Sequence, residues 1–517
     1  MFPLSVSISA ADEPKNAPTD MPTSDATDLP SDISPWPALW ALVIGFFMIL
    51  VDSTIVSVAT PAIMEGLGAD VGEVIWVTSA YLLAYAVPLL ITGRLGDRLG
   101  PRNVYLVGLT LFTLASLWCG LTSSIEGLIL ARVAQGLGAS LMTPQTMSVI
   151  TRTFPATGRG AAMALWGATA GIATLVGPIL GGVLVDGPGW EWIFFVNVPV
   201  GVIAFVAAWR LVPQLTTHAH SFDWIGVALS AIAMFLIVFG LQEGETYDWG
   251  TITGFVSVPL LIGVGLGAFA LLLWWQTVVT REPLMPLTLF RDRNFSLANA
   301  AITLVAFAIT AMAFPFMLWA QVVRDWSPTQ SGLLLVPMAV MAFLLARPVG
   351  QLIDRVHPRL ITGVGFILSA AAMLWTSRVL STDSPVWQIL LPMALIGAGS
   401  ACLWAPLSAT ATRNLPMASA GAGAGIYNTT RQVGAVLGSA AIAAVIEARL
   451  SAHLPGVGGG QGAALQQPGQ VLPPQVAEGF SAAMSDALLV PAIALALGVV
   501  ISAAFANPHP PRATPTD

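Results

Sequence analysis

The chain has 517 residues, 56% of them hydrophobic and only 9% charged, with a mean hydropathy of +0.79. Soluble domains carry about 25% charged residues, so the composition excludes a soluble globular fold and points to a polytopic membrane protein. The single lysine, Lys15, lies in a polar N-terminal stretch, which excludes a P-loop and a Schiff-base lysine in the core.

Residues 1–35 are rich in Pro, Ser, Thr and Asp without apolar periodicity and read as a disordered tail. The opening Met-Phe-Pro-Leu-Ser has no basic segment and makes a poor signal peptide. At ~20 apolar residues per crossing, the rest divides into fourteen spans. They lie near 38–60, 74–93, 103–122, 126–150, 160–185, 192–211, 222–242, 252–279, 295–323, 330–352, 360–380, 386–411, 420–447 and 486–506. The expected fold is therefore an all-α integral membrane protein. Loops after even-numbered spans hold twelve arginines, from Arg94 to Arg413, against Arg324, Arg378 and Arg449 on the other side. The positive-inside rule then places both termini in the cytoplasm. The outer loop 448–485, rich in Gly, Pro and Gln, is expected to be flexible.

Span 1 contains Leu50-Val-Asp52-Ser-Thr54-Ile-Val-Ser57-Val-Ala59-Thr-Pro61. A carboxylate inside a lipid-spanning run costs about 2.5–3.5 kcal/mol on insertion scales. Asp52 reads either as a proton or cation site on a central cavity or as an interfacial carboxylate held by Ser53 or Thr54. Between spans 2 and 3 stands Gly93-Arg-Leu-Gly-Asp97-Arg98-Leu-Gly100-Pro101-Arg102. Its frame, Gly-x-Leu-x-Asp-Arg-x-x-Pro-Arg, returns eight spans later at Gly350, Leu352, Asp354, Arg355, Pro358 and Arg359. Such a repeat in an apolar chain marks two related halves of a transporter.

Span 4 carries Arg132, Gln135 and Gly136. An arginine that stays charged in a span needs a carboxylate, water or carbonyl partner, and Asp52 is the one other strongly charged residue placed inside the first six spans. Pairing favours the charged forms and desolvation disfavours them; the competing reading is a purely structural ion pair. Span 5 reads Gly167-Ala-Thr-Ala-Gly171-Ile-Ala-Thr-Leu-Val-Gly177-Pro178-Ile-Leu-Gly181-Gly182. Small residues at four-residue spacing let helices approach closely, and Pro178 can bend the helix. Span 9 offers Phe307, Met312, Phe314, Phe316, Met317 and Trp319, either an adaptable ligand surface or ordinary packing. Span 13 opens on Ala420-Gly421-Ala-Gly423-Ala-Gly425-Ile-Tyr427-Asn428-Thr-Thr-Arg431-Gln432, where Arg431 either lines a vestibule, meets the repeated signature or snorkels. Cys119 and Cys402 fall in separate spans and read as inert. No HExxH, Gly-x-Ser-x-Gly or clustered metal ligands appear, so no enzyme chemistry, metal or other cofactor is expected.

Five of these stretches, in order, resemble motifs of the major facilitator superfamily. The 93–102 stretch is similar to its signature Gly-x-Leu-Ala-Asp-Arg-x-Gly-Arg-Lys, with Pro101 and Arg102 in place of the usual basic pair. Span 1 resembles the Leu-Asp-x-Thr-Ile-Val-Asn-Val-Ala-Leu-Pro run of the fourteen-span drug:proton antiporters of the EmrB/QacA type, with Ser57 for Asn and Thr60 for Leu. Arg132-x-x-Gln135-Gly136 matches the helix 4 motif, Gly-x-x-x-Gly-Pro-x-x-Gly-Gly the antiporter motif of helix 5, and 421–438 the span 13 run of the same branch. Residues 190–199, with Trp190, Asn197 and Pro199, resemble the entry to span 6, Glu191 replacing Arg.

The resemblance implies two six-helix bundles, 36–212 and 286–507, around two extra central helices within 213–285, and a short cytoplasmic tail, 508–517. It implies proton-coupled export of lipophilic or amphipathic small molecules, of multidrug type, from a monomer in the plasma membrane, without ATP or a nucleic-acid partner. Asp52 and Arg132 become the proton-coupling residues. Gly93, Asp97, Arg98, Gly100, Arg102, Asp354 and Arg355 become a cytoplasmic latch, Asp97 accepting from a helix N-terminus while Arg98 and Arg102 pair across the loop. Gly171, Gly177, Pro178, Gly181 and Gly182 form the antiporter motif. Thr54, Gln135, Asn428, Arg431, Met312 and Phe316 are the candidates for the substrate cavity. Export of an endogenous lipid or metabolite is the rival reading, and a non-transporting receptor or lipid-scrambling scaffold on the same fold is the alternative from another class.

Overall fold

A computed structural model describes residues 34–69, 71–155, 158–217, 223–244, 247, 249–279, 283–454 and 473–506. The tail expected over 1–35 falls almost wholly outside these residues, as do the C-terminal tail and the middle of the outer loop. In lipid every backbone N–H and C=O must find its partner inside the segment, and the apolar runs accordingly fold as helices. The first group is α1 (Trp36–Leu67), α2 (Val71–Ala86), α3 (Leu89–Leu99), α4 (Pro101–Leu121), α5 (Ile125–Thr153), α6 (Arg159–Asp186), α7 (Trp192–Phe195) and α8 (Asn197–Leu211). A hairpin follows: α9 (Trp224–Gln242), β1 (Thr251–Thr253), β2 (Val256–Ser257) and α10 (Val258–Val278). The last group is α11 (Arg293–Val322), α12 (Pro328–Leu333), α13 (Val336–Ile353), α14 (Pro358–Val379), α15 (Val386–Ala401), α16 (Trp404–Thr412), α17 (Ala420–His453), α18 (Pro474–Ala487) and α19 (Leu489–Ala503).

Among the described residues thirteen helical stretches are long and apolar enough to cross a bilayer. They become fourteen when the pair Trp76–Ala86 and Leu89–Leu99, bent by 46°, counts as one span. The bend falls at Val87–Pro88, where proline cannot donate to the helical ladder. Other spans are also made of two pieces, as α15 and α16 are, separated at Cys402–Leu403.

Two expectations about loops need correction. The signature stretch is mostly helix: α3 runs through Asp97 to Leu99. The turn is confined to Gly100, whose φ of 87° suits glycine, and Pro101 starts α4. The outer loop is also shorter than 448–485. α17 continues to His453, and α18 begins at Pro474, burying Ala477, Phe480, Ser481, Met484 and Ala487. That stretch is amphipathic, and its polar face lowered the hydropathy by which a span is recognised.

In the first bundle α5 packs on α2 and α4, and α1 on α6 and α8; in the last, α11 packs on α17 and α19, and α14 on α15 and α19. The bundles meet along two seams, α6 on α13 and α16, and α17 on α3 and α5. Spans 5 and 13, eight apart, thus occupy matching places in the two halves. The α9–α10 hairpin touches both α2 and α17.

Candidate functional site: a buried ion pair and two interhelical latches

The middle of α1 carries Asp52, and the helical i, i+3 spacing puts Arg132 and Gln135 on one face of α5. All three are 0% exposed. Arg132 Nη1 donates to Asp52 Oδ2 at 2.6 Å, and Gln135 Nε2 to Asp52 Oδ1 at 2.8 Å. Asn197 Nδ2, at the first position of α8, donates to the same Oδ1 at 2.9 Å. Ser116 of α4 accepts from Gln135 and Asn197 and donates to the Phe194 carbonyl. Arg132 Nη1 also reaches Gln135 Oε1 at 2.6 Å, its Nε donates to the Val77 carbonyl, and its guanidinium lies 4.0 Å from the centroid of the Tyr81 ring.

The sequence pairs Asp52 with Arg132, and the geometry has them bonded. The interfacial alternative for Asp52 does not hold: Ser53 and Thr54 spend their hydroxyls on backbone carbonyls of their own helix. Asp52 does not border an open cavity either, because the cluster is sealed inside the first bundle. The same holds for Gln135, expected in the cavity and found in the cluster. Ser116, Tyr81 and the role of Asn197 were missed. Asn197 had a signal, an amide opening an apolar run within the span 6 motif. Ser116 had none, since a hydroxyl in a span is satisfied as easily by its own helix.

α6 crosses α1 beside this cluster. A Cβ at Gly177 would run into Thr54 Oγ1, and one at Gly181 would lie 2.9 Å from Ile55 Cγ1. Glycine there is what lets the two backbones meet, and it puts Thr54 in the helix contact rather than on a cavity. Gly171 faces α13, and Pro178 and Gly182 are half-buried. Between the bundles is a cleft of about 80 Å³ lined by Gly167, Gly171, Met338, Ala342, Trp404 and Ala405, far below the ~300–1,000 Å³ of small-molecule sites.

At the end of the bundles where the signature lies, Asp97 Oδ1 accepts from Gly421 N at 2.8 Å and Oδ2 from Ala422 N at 3.0 Å. These are unsatisfied amides of the first turn of α17, at its positive dipole end. α3 and α17 touch backbone to backbone: a Cβ at Gly93 would strike the Gly421 carbonyl and lie 2.9 Å from Gly425 Cα. Arg94 Nη2 donates to the Pro283 carbonyl at 2.9 Å. Arg102 reaches across to bond the Trp209 carbonyl at the end of α8, and Arg98 is exposed.

The repeat builds the same device in the other half. A Cβ at Gly350 would lie 2.9 Å from Ala164 Cβ and 3.2 Å from Ala161 Cα, and the Asp354 carboxylate takes the Gly160 amide in the first turn of α6. Asp354 follows the end of α13. Burial pushes its carboxyl above the ordinary range, against the pull of Arg413 and the Gly160 amide. Arg159 adds a bond to the Thr412 carbonyl at 3.0 Å, and Arg355 is exposed.

The other cavity candidates are placed differently. Met312 and Phe316 are 1% and 0% exposed inside the last bundle, while Phe314 of the same helix faces outward. Asn428 is buried against Met147, donating to the Ala424 carbonyl. Arg431 crosses the seam between the bundles: its Nη2 donates to the Tyr85 hydroxyl at 3.1 Å, and Tyr85 to Thr143 at 3.2 Å.

Two repeated helical bundles, joined by reciprocal carboxylate-to-amide contacts and enclosing a charged pair at mid-span, define a membrane transporter. Residues 42–439 match the model of the Major Facilitator Superfamily. The chain belongs to that superfamily, and falls in its drug:proton antiporter branch. It is 51% identical over 473 residues to an uncharacterized MFS-type transporter of Mycobacterium tuberculosis, covering 90% of this chain and 80% of that one. It is 36% identical over 450 residues to the tetracenomycin C resistance and export protein of Streptomyces glaucescens, covering 84% and 82%. Among solved structures, the proton:xylose symporter XylE shares the fold at a TM-score of 0.60 and 13% identity, over 89% of this chain and 94% of that one.

Proposed function

We propose that this protein is a proton-coupled exporter of lipophilic or amphipathic small molecules, of multidrug type. It works as a monomer in the plasma membrane with both termini cytoplasmic. The arginine asymmetry supports that orientation, and the resistance and export proteins among its relatives support the direction of transport. The observation that carries proton coupling is the Asp52–Arg132 pair, a titratable carboxylate held at 2.6 Å from its cation with no exposure to solvent.

The chemistry follows from the partners. A proton on Asp52 removes the negative half of the pair. Arg132 is then left with the Val77 carbonyl, Gln135 Oε1 and the Tyr81 ring, while the Gln135 and Asn197 amides still hold the neutral acid. α1 meets α6 one turn away, at Gly177, and the first turn of α6 is where Asp354 holds the other bundle. α6 thus links the charge change to the latch. Protonation favours one arrangement of the bundles and deprotonation the other, a population shift set by differential stability. The latches, closed in this structure, stand for the state shut toward the cytoplasm.

The test is efflux of Hoechst 33342 in proteoliposomes under an imposed pH gradient, with and without a protonophore. The wild type concentrates dye against its gradient only while the pH gradient stands, and Asp52→Asn does not. Undiminished accumulation by Asp52→Asn at matched protein levels removes Asp52 from coupling.

A further inference from the structure

The latch carboxylate is buried, and burial sets conditions on its neighbours. Asp97 is 1% exposed and accepts two amides of α17. A buried carboxylate is costly unless it is paired. Arg94, one helical turn before it on α3, lies 3.9 Å away, and the charge of Arg152 at the end of α5 reaches the same carboxylate. Those two arginines are themselves buried, 9% and 1% exposed. A guanidinium carries five N–H donors and no acceptor, so both need oxygens from elsewhere.

The oxygens come from the two connections of the inserted α9–α10 hairpin. Arg94 Nε and Nη2 donate to the Pro283 carbonyl at 3.3 and 2.9 Å, in the connection from α10 to α11. Arg152 Nη2 donates to the Thr216 carbonyl and, at 3.0 Å, to the Thr216 hydroxyl, in the connection from α8 to α9. The Pro283 connection is pinned to the hairpin in turn. Gln276 of α10, 5% exposed, accepts from the Met285 amide at 3.0 Å and donates at 2.9 Å to Asp223, the cap of α9. The hairpin also sits astride the seam: Met234 and Val238 of α9 share a buried cluster with Leu83 of α2 and Val436 of α17.

We propose that Arg94 and Arg152 are positioning residues of the latch, and that the inserted hairpin is the strap that holds them on Asp97. Release of a connection leaves a buried guanidinium short of acceptors. It then turns out to water, or it takes the Asp97 oxygens away from the α17 amides, and both weaken the latch. The two extra helices thereby set how readily the bundles part at this end. The inference rests on reading the latches as the closure of the cytoplasmic side.

The experiment measures the closed–open equilibrium of the full chain in nanodiscs, without substrate or gradient. Energy transfer is read between fluorophores at Asn103→Cys on α4 and Gln351→Cys on α13 in a Cys402→Ala background. Gln276→Met keeps the bulk of the side chain, touches neither arginine nor Asp97, and frees the Met285 amide. It shifts the equilibrium about two- to fivefold toward the longer distance, within the worth of one hydrogen bond. In an Asp97→Asn background it adds nothing further, because it acts through that carboxylate. Arg94→Met shifts the equilibrium about five- to tenfold, again only while Asp97 is present, and Arg94→Lys, which keeps the charge, shifts it less. Should Gln276→Met not fold, Thr216→Val takes one acceptor from Arg152 at an exposed position and shifts the equilibrium about twofold. Unchanged distances in the hairpin variant overturn the inference. An equal shift with and without the Asp97 carboxylate also overturns it, because the hairpin then loosens the protein without acting on the latch. Unchanged distances in Asp97→Asn alone lose the latch reading; a shift there with none in the hairpin variant loses the strap alone.

Discussion

Asp97→Asn should unlatch the bundles. The carboxylate accepts two backbone amides at 2.8 and 3.0 Å at the N-terminus of α17. An asparagine offers one acceptor and turns a donor toward the other amide. The loss is one hydrogen bond to a charged group, about 1.5–3 kcal/mol, and the charge–dipole attraction, about 0.3–1 kcal/mol. Together they amount to about 2–4 kcal/mol, which moves the closed–open equilibrium by roughly thirty- to several-hundred-fold. Fluorophores at Asn103→Cys on α4 and Gln351→Cys on α13, both exposed, with Cys402→Ala to remove the partly accessible thiol, report the separation of the bundles by energy transfer. Asp97→Asn should show a longer mean distance and slower net transport while the purified protein still binds dye. Unchanged distances refute the latch, and so does abolished binding with exchange intact.

Gly421→Ala should resemble Asp97→Asn, because a methyl there must displace the Gly93 carbonyl and the Asp97 carboxylate. Overpacking of this kind costs about 1–3 kcal/mol, and the two substitutions should be far from additive in the energy-transfer assay, since they break one contact. Arg132→Met should destabilise by about 3–5 kcal/mol, since it leaves the buried Asp52 carboxylate without its cation and with only the Gln135 and Asn197 amides. Asp52→Asn should cost less, because Arg132 keeps a carbonyl, a side-chain amide oxygen and a ring; equal losses in denaturant unfolding contradict this. Reporter fusions after residues 68, 247 and 465 should all report the outside, and an inside signal at 247 removes the central pair of spans.

The division between what the sequence determined and what the tertiary structure decided follows from the solvent. Crossing a bilayer demands long apolar runs with internally paired backbones, and the signature is written twice. The span count, the two halves and the pairing of Asp52 with Arg132 were therefore readable along the chain. Two unlike charges inside one bundle have few alternatives to each other. Which way an apolar side chain points was not readable, because lipid tails are as apolar as a helix interior and leave no periodic mark on a span. Met312 and Phe316 looked like cavity residues and lie in the bundle core, and α18 was hidden by its polar face. The contributions of Ser116 and Asn197 to Asp52, the crossing of α3 by α17 at Gly93, and the hold of Arg94 on Pro283 depend on residues far apart in the chain meeting in space. Packing alone decides those contacts.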